Sequence, residues 1–298
     1  MTITPTGGAL GAYVDGVDFS APLSEEVRAQ LRAAWSEHLV LVWRSASTLD
    51  KTLLEVASVF GPVQSPPARK LHSPSSYVHD GRTVVLDPRL ALISNLDRTG
   101  KPVPVNRLLG SSEVAWHSDY SYDPIPPAGS LLMALTVPLD GGGDTHFNNQ
   151  YLAYDELAPA LKRAVEGRLQ VHDNSRDSAG LPRDQQKTPL SFEDVHGARH
   201  PLVRTHPATG RRALYLGRRC ARPSSYILGL PTHESEDLLD QLWAHATQPH
   251  YGWRHQWRVG DIVLWDNRAC MHYRSAVDPA QPRVMHRTMV KGEPLTPG

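Results

Sequence analysis

The chain has 298 residues, room for one large domain or two ordinary ones. Hydrophobic residues make up 40% and charged residues 21%, the balance of a soluble globular protein. Lysine plus arginine equals aspartate plus glutamate at 31 each, so nothing in the net charge favours nucleic acid or an anionic membrane as partner. No apolar run approaches the ~20 residues that span a bilayer. Met1 to Ala9 has no basic flank and no apolar core, so it does not read as a secretory signal. The two cysteines, Cys220 and Cys270, fit a reduced cytoplasmic chain better than a disulfide scaffold.

The elements follow from periodicity. Gly8 to Phe19 reads as short strands. Ser24 precedes two acids, and Val27, Leu31, Trp35 and Leu39 recur every four residues, which predicts a capped amphipathic helix. Leu39 to Trp43 is a short buried strand. Thr48 to Phe60 is a second helix, stopped by Gly61-Pro62. Thr83 to Leu86 and Leu90 to Ile93 are strands, followed by a polar loop from Asn95 to Ser112. Val114 to Tyr122 and Ser130 to Val137 are strands, and another begins at Asp144. Asp155 to Arg168 reads as one helix. The polar segment 173–198 is a loop, and Leu202 to Thr205 pairs with Ala213 to Leu216 as a hairpin. Thr232 caps a helix that runs to Thr247. Strands at Ile262 to Trp265 and Arg283 to Val290 complete the chain. The pattern is mostly β with flanking helices, an antiparallel sandwich or barrel and not an alternating βαβ sheet.

Chemistry concentrates in Trp116-His117-Ser118-Asp119. On a strand, residues two apart share a face, so His117 and Asp119 can bind one metal ion together. His272 would complete a two-histidine, one-carboxylate set, which leaves sites open on a ferrous ion. Arg283 and Arg287 follow it. Four residues apart, they face the same way on a strand, and two inward cations call for two anions.

The segments WHSDYSYDPIPPAGSLLMAL (116–135), GGDTHF (142–147), HPLVRTHPATGRRALYLG (200–217) and GDIVLWDNRACMHYRSAVDPAQPRVMHRTMV (260–290) resemble the taurine dioxygenase-like (TauD/TfdA) family of Fe(II)- and 2-oxoglutarate-dependent dioxygenases. A looser match around VFGPV (59–63) extends the likeness over most of the chain. The resemblance implies a double-stranded β-helix, or jelly-roll, core in a single domain over residues 1–298. It implies His117, Asp119 and His272 as iron ligands, and Thr145 and Arg283 on the distal carboxylate of 2-oxoglutarate. Arg287 matches an arginine that in several members reaches an anionic group of the primary substrate; its competing role is to support another buried carboxylate. The implied reaction takes 2-oxoglutarate and O2 to succinate and CO2 and oxidises a C–H bond of a small substrate. Hydroxylation is expected first, with desaturation or cyclisation as alternatives.

The expected partner is a small carboxylate or sulfonate, bound by a monomer or a homo-oligomer. Taurine itself fits poorly, because no histidine follows Phe60-Gly61 until His72. Segments 65–112 and 173–198 are expected to be lids or pocket loops, with Asn95, Asn106, Tyr120 and Tyr122 as candidate lining residues. Trp116 and Trp265 are read as packing residues, and His286 as facing away from the pocket. A zinc hydrolase on the same triad would have no use for the carboxylate clamp. A non-catalytic jelly-roll binding protein would not need the intact triad.

Overall fold

The computed structural model describes residues 1–67, 73–106, 108, 110–184, 186–217, 219 and 221–298. Two sheets make the jelly roll; their described strand pairs are antiparallel apart from Ala12–Asp15, which runs parallel to Val40–Trp43. Among the described residues the larger sheet runs in the order Thr2–Pro5, Ala12–Asp15, Val40–Trp43, Ile262–Asp266, Gly129–Thr136, Val284–Val290 and Val63–Gln64. Ala91–Ser94 also pairs with Val284–Val290. The smaller sheet runs Gly252–His255, Thr145–Asn149, Cys270–Arg274 and Val114–His117.

Strand periodicity sorts the central strands into two faces. Val40, Val42, Leu132, Ala134, Val263 and Trp265 turn inward and cluster with Phe147 and Cys270 of the smaller sheet. Leu41, Trp43, Leu131, Met133, Ile262 and Leu264 turn outward and pack under two helices, through Leu31, Trp35, Leu53 and Ala57. Strands covered on both faces read as continuous apolar runs, which is why LVLVW and DIVLW carry no alternation. A third cluster joins Met271 to Leu202, Leu214, Leu239 and Leu242 on the far side of the smaller sheet.

The first helix, Glu25–His38, starts where expected, with Ser24 Oγ accepting from Val27 N at 3.3 Å. The second is Asp50–Phe60. Four readings change. Residues 155–168 do not form one helix: Gln150–Asp155 and Pro159–Val165 are separate, the first capped by Asn149 and the second opened by Pro159. Thr232 lies inside the helix Thr232–Ala246, and the cap position belongs to Pro231. The strand near Thr83 is half of a hairpin, Ser76–His79 with Arg82–Val85. Its turn, Asp80-Gly81, has φ of 48° and 72°, the two-residue hairpin signal that the sequence did contain. The strand at 114–122 stops at His117, a change with consequences for the site. His72 and Cys220 lie outside the described residues.

A buried ion pair ties the layers together. Asp266, with no exposed surface, accepts from Arg268 Nε at 2.9 Å, Arg268 Nη2 at 2.7 Å and His206 Nε2 at 3.0 Å. Burial alone would raise this carboxyl, but Arg268 and His206 reverse the effect and hold it well below the usual range. A carboxyl depressed in the folded state contributes stability above its unfolded value of about 4 and loses it as the pH falls toward the folded value. Asp266→Asn leaves Arg268 buried with only the more distant Glu293, at 3.5 Å, as counter-charge. Urea unfolding at neutral pH should show a loss of about 3–5 kcal/mol, and the wild-type's acid slope below pH ~4 should flatten in the variant.

Candidate active site

His117 ends an edge strand of the smaller sheet, and the register sets it directly opposite His272 on Cys270–Arg274. Their rings lie 4.1 Å apart, centroid to centroid. The strand does not continue to Asp119, so the shared-face argument for His117 and Asp119 fails. Asp119 sits in the turn that follows, where Tyr120 adopts φ of 50°. Asn267 shapes that turn. Its Oδ1 accepts from Asp119 N at 2.6 Å, and its Nδ2 donates to the Asp119 carbonyl at 2.9 Å and the Pro127 carbonyl at 3.0 Å. Ser118 Oγ donates to the Cys270 carbonyl at 3.1 Å, stitching the turn to the strand of His272.

The result is a buried cluster of three donor atoms, all within 4.8 Å of one another. Asp119 Oδ1 lies 3.6 Å from His117 Nε2 and 3.7 Å from His272 Nε2. Both separations are shorter than two ligand bonds of about 2.1 Å, so one divalent ion can reach both nitrogens and the oxygen. The outward atoms of His117 and Asp119 are already committed. His117 Nδ1 lies 2.7 Å from the Ala115 carbonyl, which holds the proton on Nδ1 and leaves the Nε2 lone pair to the cluster. Asp119 Oδ2 accepts from Ser130 Oγ at 2.6 Å and pairs with the Arg287 guanidinium. Burial pushes the Asp119 carboxyl up, but Arg287, His272 and His117 together hold it well below the usual range. The donor set thus fits one metal ion.

Arg283 differs sharply from Arg287. It is 2% exposed, its Nε has no hydrogen-bond partner, and among the described residues no carboxylate lies within ion-pair reach. Burial, then the charge of Arg274, lowers its proton affinity well below the usual arginine range. The nearby Asp144 is taken by Arg254 at 2.7 Å. A guanidinium buried without a counter-charge costs several kcal/mol, so this arrangement fits an anion from outside the chain. Gly143, at φ of 77°, makes room for it, since a methyl there would lie 2.8 Å from Arg283 Nε. Thr145 is also buried. Its Oγ accepts from Trp257 Nε1 at 3.0 Å, which leaves its own O–H to donate. Thr145 stands opposite Arg274 in the register. Arg274 donates to the Gly110 carbonyl at 3.2 Å and to the Ser112 carbonyl.

The other candidates divide. Tyr120 lies under the Arg287 guanidinium, 5.3 Å from ring centroid to Cζ, and against Tyr122 at 5.8 Å. Asn95 and Asn106 do not point to a ligand. Asn95 is fully buried, accepts from Arg283 N at 2.8 Å, and donates to the Gln281 carbonyl at 2.7 Å and Ser111 Oγ at 3.1 Å. Asn106 spends its amide on the carbonyls of Ser94 and Leu96 and on the backbone N–H of Leu108 and Gly110. Both build the loop, a duty their residue type suits. Arg219 is turned away onto Glu236 at 2.7 Å and onto Asp240. Trp265 packs 4.8 Å from the His272 ring, and Trp116 5.6 Å from Tyr273. His286 faces the opposite side of its strand and meets Tyr77 Oη at 2.8 Å. The parity argument for Arg283 and Arg287 does not hold in its simple form, because Arg283 precedes Val284–Val290 and the register shifts between Val284 and Met285. Sequence reading missed Asn267, Ser130 and Trp257. Asn267 had a signal, its place in the WDN stretch; the other two had none.

The family model for "Taurine catabolism dioxygenase TauD, TfdA family" matches residues 2–289. The chain is 32% identical to (S)-phenoxypropionate/alpha-ketoglutarate-dioxygenase of Delftia acidovorans, covering 100% of this chain and 97% of that one. It is 30% identical to pentalenolactone F synthase of Streptomyces arenae, covering 97% of this chain and 95% of that one. The crystal structure of AAD-2 in complex with Mn(II) and N-oxalylglycine superposes with a TM-score of 0.80 at 30% identity, covering 99% of each chain.

The clamp on Asp119 generates a prediction. Asn267→Ala frees the turn without emptying much of the core. Mn(II) affinity measured by titration calorimetry should fall ~10–100-fold while the far-ultraviolet circular dichroism spectrum is unchanged, as for other partners that orient a ligand without touching the metal.

Proposed function

The chain belongs to the TauD/TfdA family and is an α-ketoglutarate-dependent dioxygenase, and on that footing we propose the residues that carry the reaction and the class of molecule oxidised. His117, Asp119 and His272 would hold a ferrous ion. When bound, that ion supplies, with 2-oxoglutarate and O2, the oxidising power for a C–H bond, and the co-substrate leaves as succinate and CO2. Everything else is the work of this chain. Arg283 takes the distal carboxylate of the co-substrate in two parallel hydrogen bonds, and Thr145 adds a third. The observation that carries this reading is the buried Arg283 guanidinium with no counter-charge, in a chain that also holds a buried two-histidine, one-carboxylate cluster. The outer oxygen of Asp119 is held by Ser130 and Arg287, which limits the carboxylate to one donor.

The primary substrate is a small molecule with an anionic group, and hydroxylation is the expected outcome. Tyr120 and Tyr122 form part of its pocket, beside Arg287. One domain over residues 1–298 does this, with lid or pocket loops in 65–112 and 173–198. Contacts support that assignment: Ala115 N donates to the Ser178 carbonyl at 2.9 Å, Ala198 N to the Tyr122 carbonyl at 2.9 Å, and Arg183 lies 4.3 Å from the Tyr122 ring centroid. Val277 N donates to the Ser111 carbonyl at 2.9 Å. No helix among the described residues is long and apolar enough to cross a membrane. A cytoplasmic site of action is part of the proposal and fits the buried free thiol of Cys270.

The test is succinate release from 2-oxoglutarate under Fe(II), ascorbate and O2, across a panel of aryloxy carboxylates, alkyl sulfates and sulfonates. Stimulated release that His117→Ala abolishes supports the proposal, and the product's gain of one oxygen identifies hydroxylation. Release that no anionic compound stimulates but a neutral one does removes the anionic-substrate assignment. Arg283→Met should raise the dissociation constant of 2-oxoglutarate at least ~30-fold, the loss of roughly 2 kcal/mol expected for one partner of a buried charge pair. Mn(II) affinity without co-substrate should be unchanged in that variant. Equal 2-oxoglutarate binding by Arg283→Met and the wild type would overturn the co-substrate site.

A further inference from the structure

We propose that Arg287 is the resident counter-cation of Asp119, a charge that any metal ion entering the site must share the carboxylate with, so that the arginine sets metal affinity downward as well as orienting the ligand. This rests on the metal-site reading above and deepens it. Arg287 Nη2 makes the ion pair with Asp119 Oδ2 and lies 3.2 Å from Ser130 Oγ, while Ser130 Oγ donates to the same Oδ2 at 2.6 Å. The pair is buried, with Asp119 3% and Arg287 8% exposed. Arg287 Nε is buried without a partner, so the guanidinium keeps a donor for a second anion. Tyr120 closes the face of the guanidinium.

Two consequences follow from charge alone. In the metal-free chain, Asp119 would be an isolated buried carboxylate without Arg287, since its other neighbours are two imidazoles and a hydroxyl. Such a group is strongly destabilising. In the metal-bound chain, a divalent ion on Oδ1 and a guanidinium on Oδ2 repel each other across a single carboxylate. That repulsion is worth tenfold or more in affinity even at an effective dielectric of about 20. An arginine that merely oriented Asp119 would do the opposite, and its removal would weaken metal binding.

The experiment uses the full chain without co-substrate and reads Mn(II) binding by titration calorimetry and melting temperature by scanning calorimetry. Arg287→Met should bind Mn(II) about tenfold tighter than the wild type, and Arg287→Lys, which keeps the charge, should stay within about threefold of it. Arg287→Met should melt well below the wild type without metal, and Mn(II) should recover most of the difference. The double variant Asp119→Asn with Arg287→Met has no buried charge to compensate and should melt above Arg287→Met. Equal or weaker Mn(II) binding by Arg287→Met overturns the inference and leaves the metal site standing. So does a double variant no more stable than Arg287→Met, or one that fails to fold alongside it. If the wild type takes up no Mn(II), the metal reading falls and this inference falls with it.

Discussion

The carboxylate of Asp119 is the constraint around which the site is arranged. It is a buried charge on a turn, not on a strand, and nothing in the β-scaffold by itself would point it at His117 and His272. Asn267 fixes its backbone from both sides, at 2.6 and 2.9 Å. Ser130 and Arg287 fix one of its oxygens and leave the other to the imidazoles. The clamp comes from the strand end at Asp266–Asn267 and the oxygen lock from Gly129–Thr136 and Val284–Val290. Three neighbouring strands of the larger sheet therefore position a ligand that the smaller sheet's residues flank. That is the use of two facing sheets here: the histidines come from one, and the groups that aim and charge-balance the carboxylate come from the other.

Arg287, on Val284–Val290, and Arg283, just before that strand, show how environment, more than residue type, assigns a role. Arg287 has a resident anion and a hydroxyl. Arg283 has neither, and the one nearby acid is already bound to Arg254. An unpaired buried guanidinium is too costly to keep for packing alone, whereas a paired one can be structural. Asn95 makes the asymmetry rigid, because it binds the backbone N–H of Arg283 and not the side chain. The segment after Asp87, which carries Asn95 and Asn106, thus acts on the pocket indirectly, by holding the arginine's main chain and the carbonyls that Arg274 reaches.

Much of this was readable in the chain itself, and the reasons are physical. The helices at Glu25 and Asp50 follow from a four-residue apolar period, an N-cap serine and a Gly-Pro stop. The central strands follow from short β-branched runs flanked by turns. His117, Asp119, His272, Thr145 and Arg283 lie in long matching segments, and in the folded chain all five are buried, the first three with their donor atoms within 4.8 Å of one another. What periodicity misjudged were places where the backbone leaves the regular pattern. The turn at Asp119, the bulge after Val284 and the break before Pro159 each defeat an argument from strand parity or an unbroken helix. The asparagines at 95 and 106 spend their side chains on the loop itself. A polar residue in a loop beside a site reads as a ligand contact, yet a buried loop must first satisfy its own N–H and carbonyl groups, and Asn is well suited to that.

The order in which groups enter this site is constrained by charge. Without metal, the arrangement is balanced at Asp119 and unbalanced at Arg283. A dicarboxylate alone would satisfy Arg283 but would bring a second negative end toward Asp119, whose own charge is already matched. A divalent ion alone would find the donor atoms but would add two positive charges beside Arg287, with Arg283 still unmatched. Ion and dicarboxylate together cancel more charge than either does singly. The electrostatics therefore favour binding each more tightly in the presence of the other, as linkage requires of any such pair. An anionic group reaching the unused donor of Arg287 would give that buried N–H its partner and add a negative charge beside the ion.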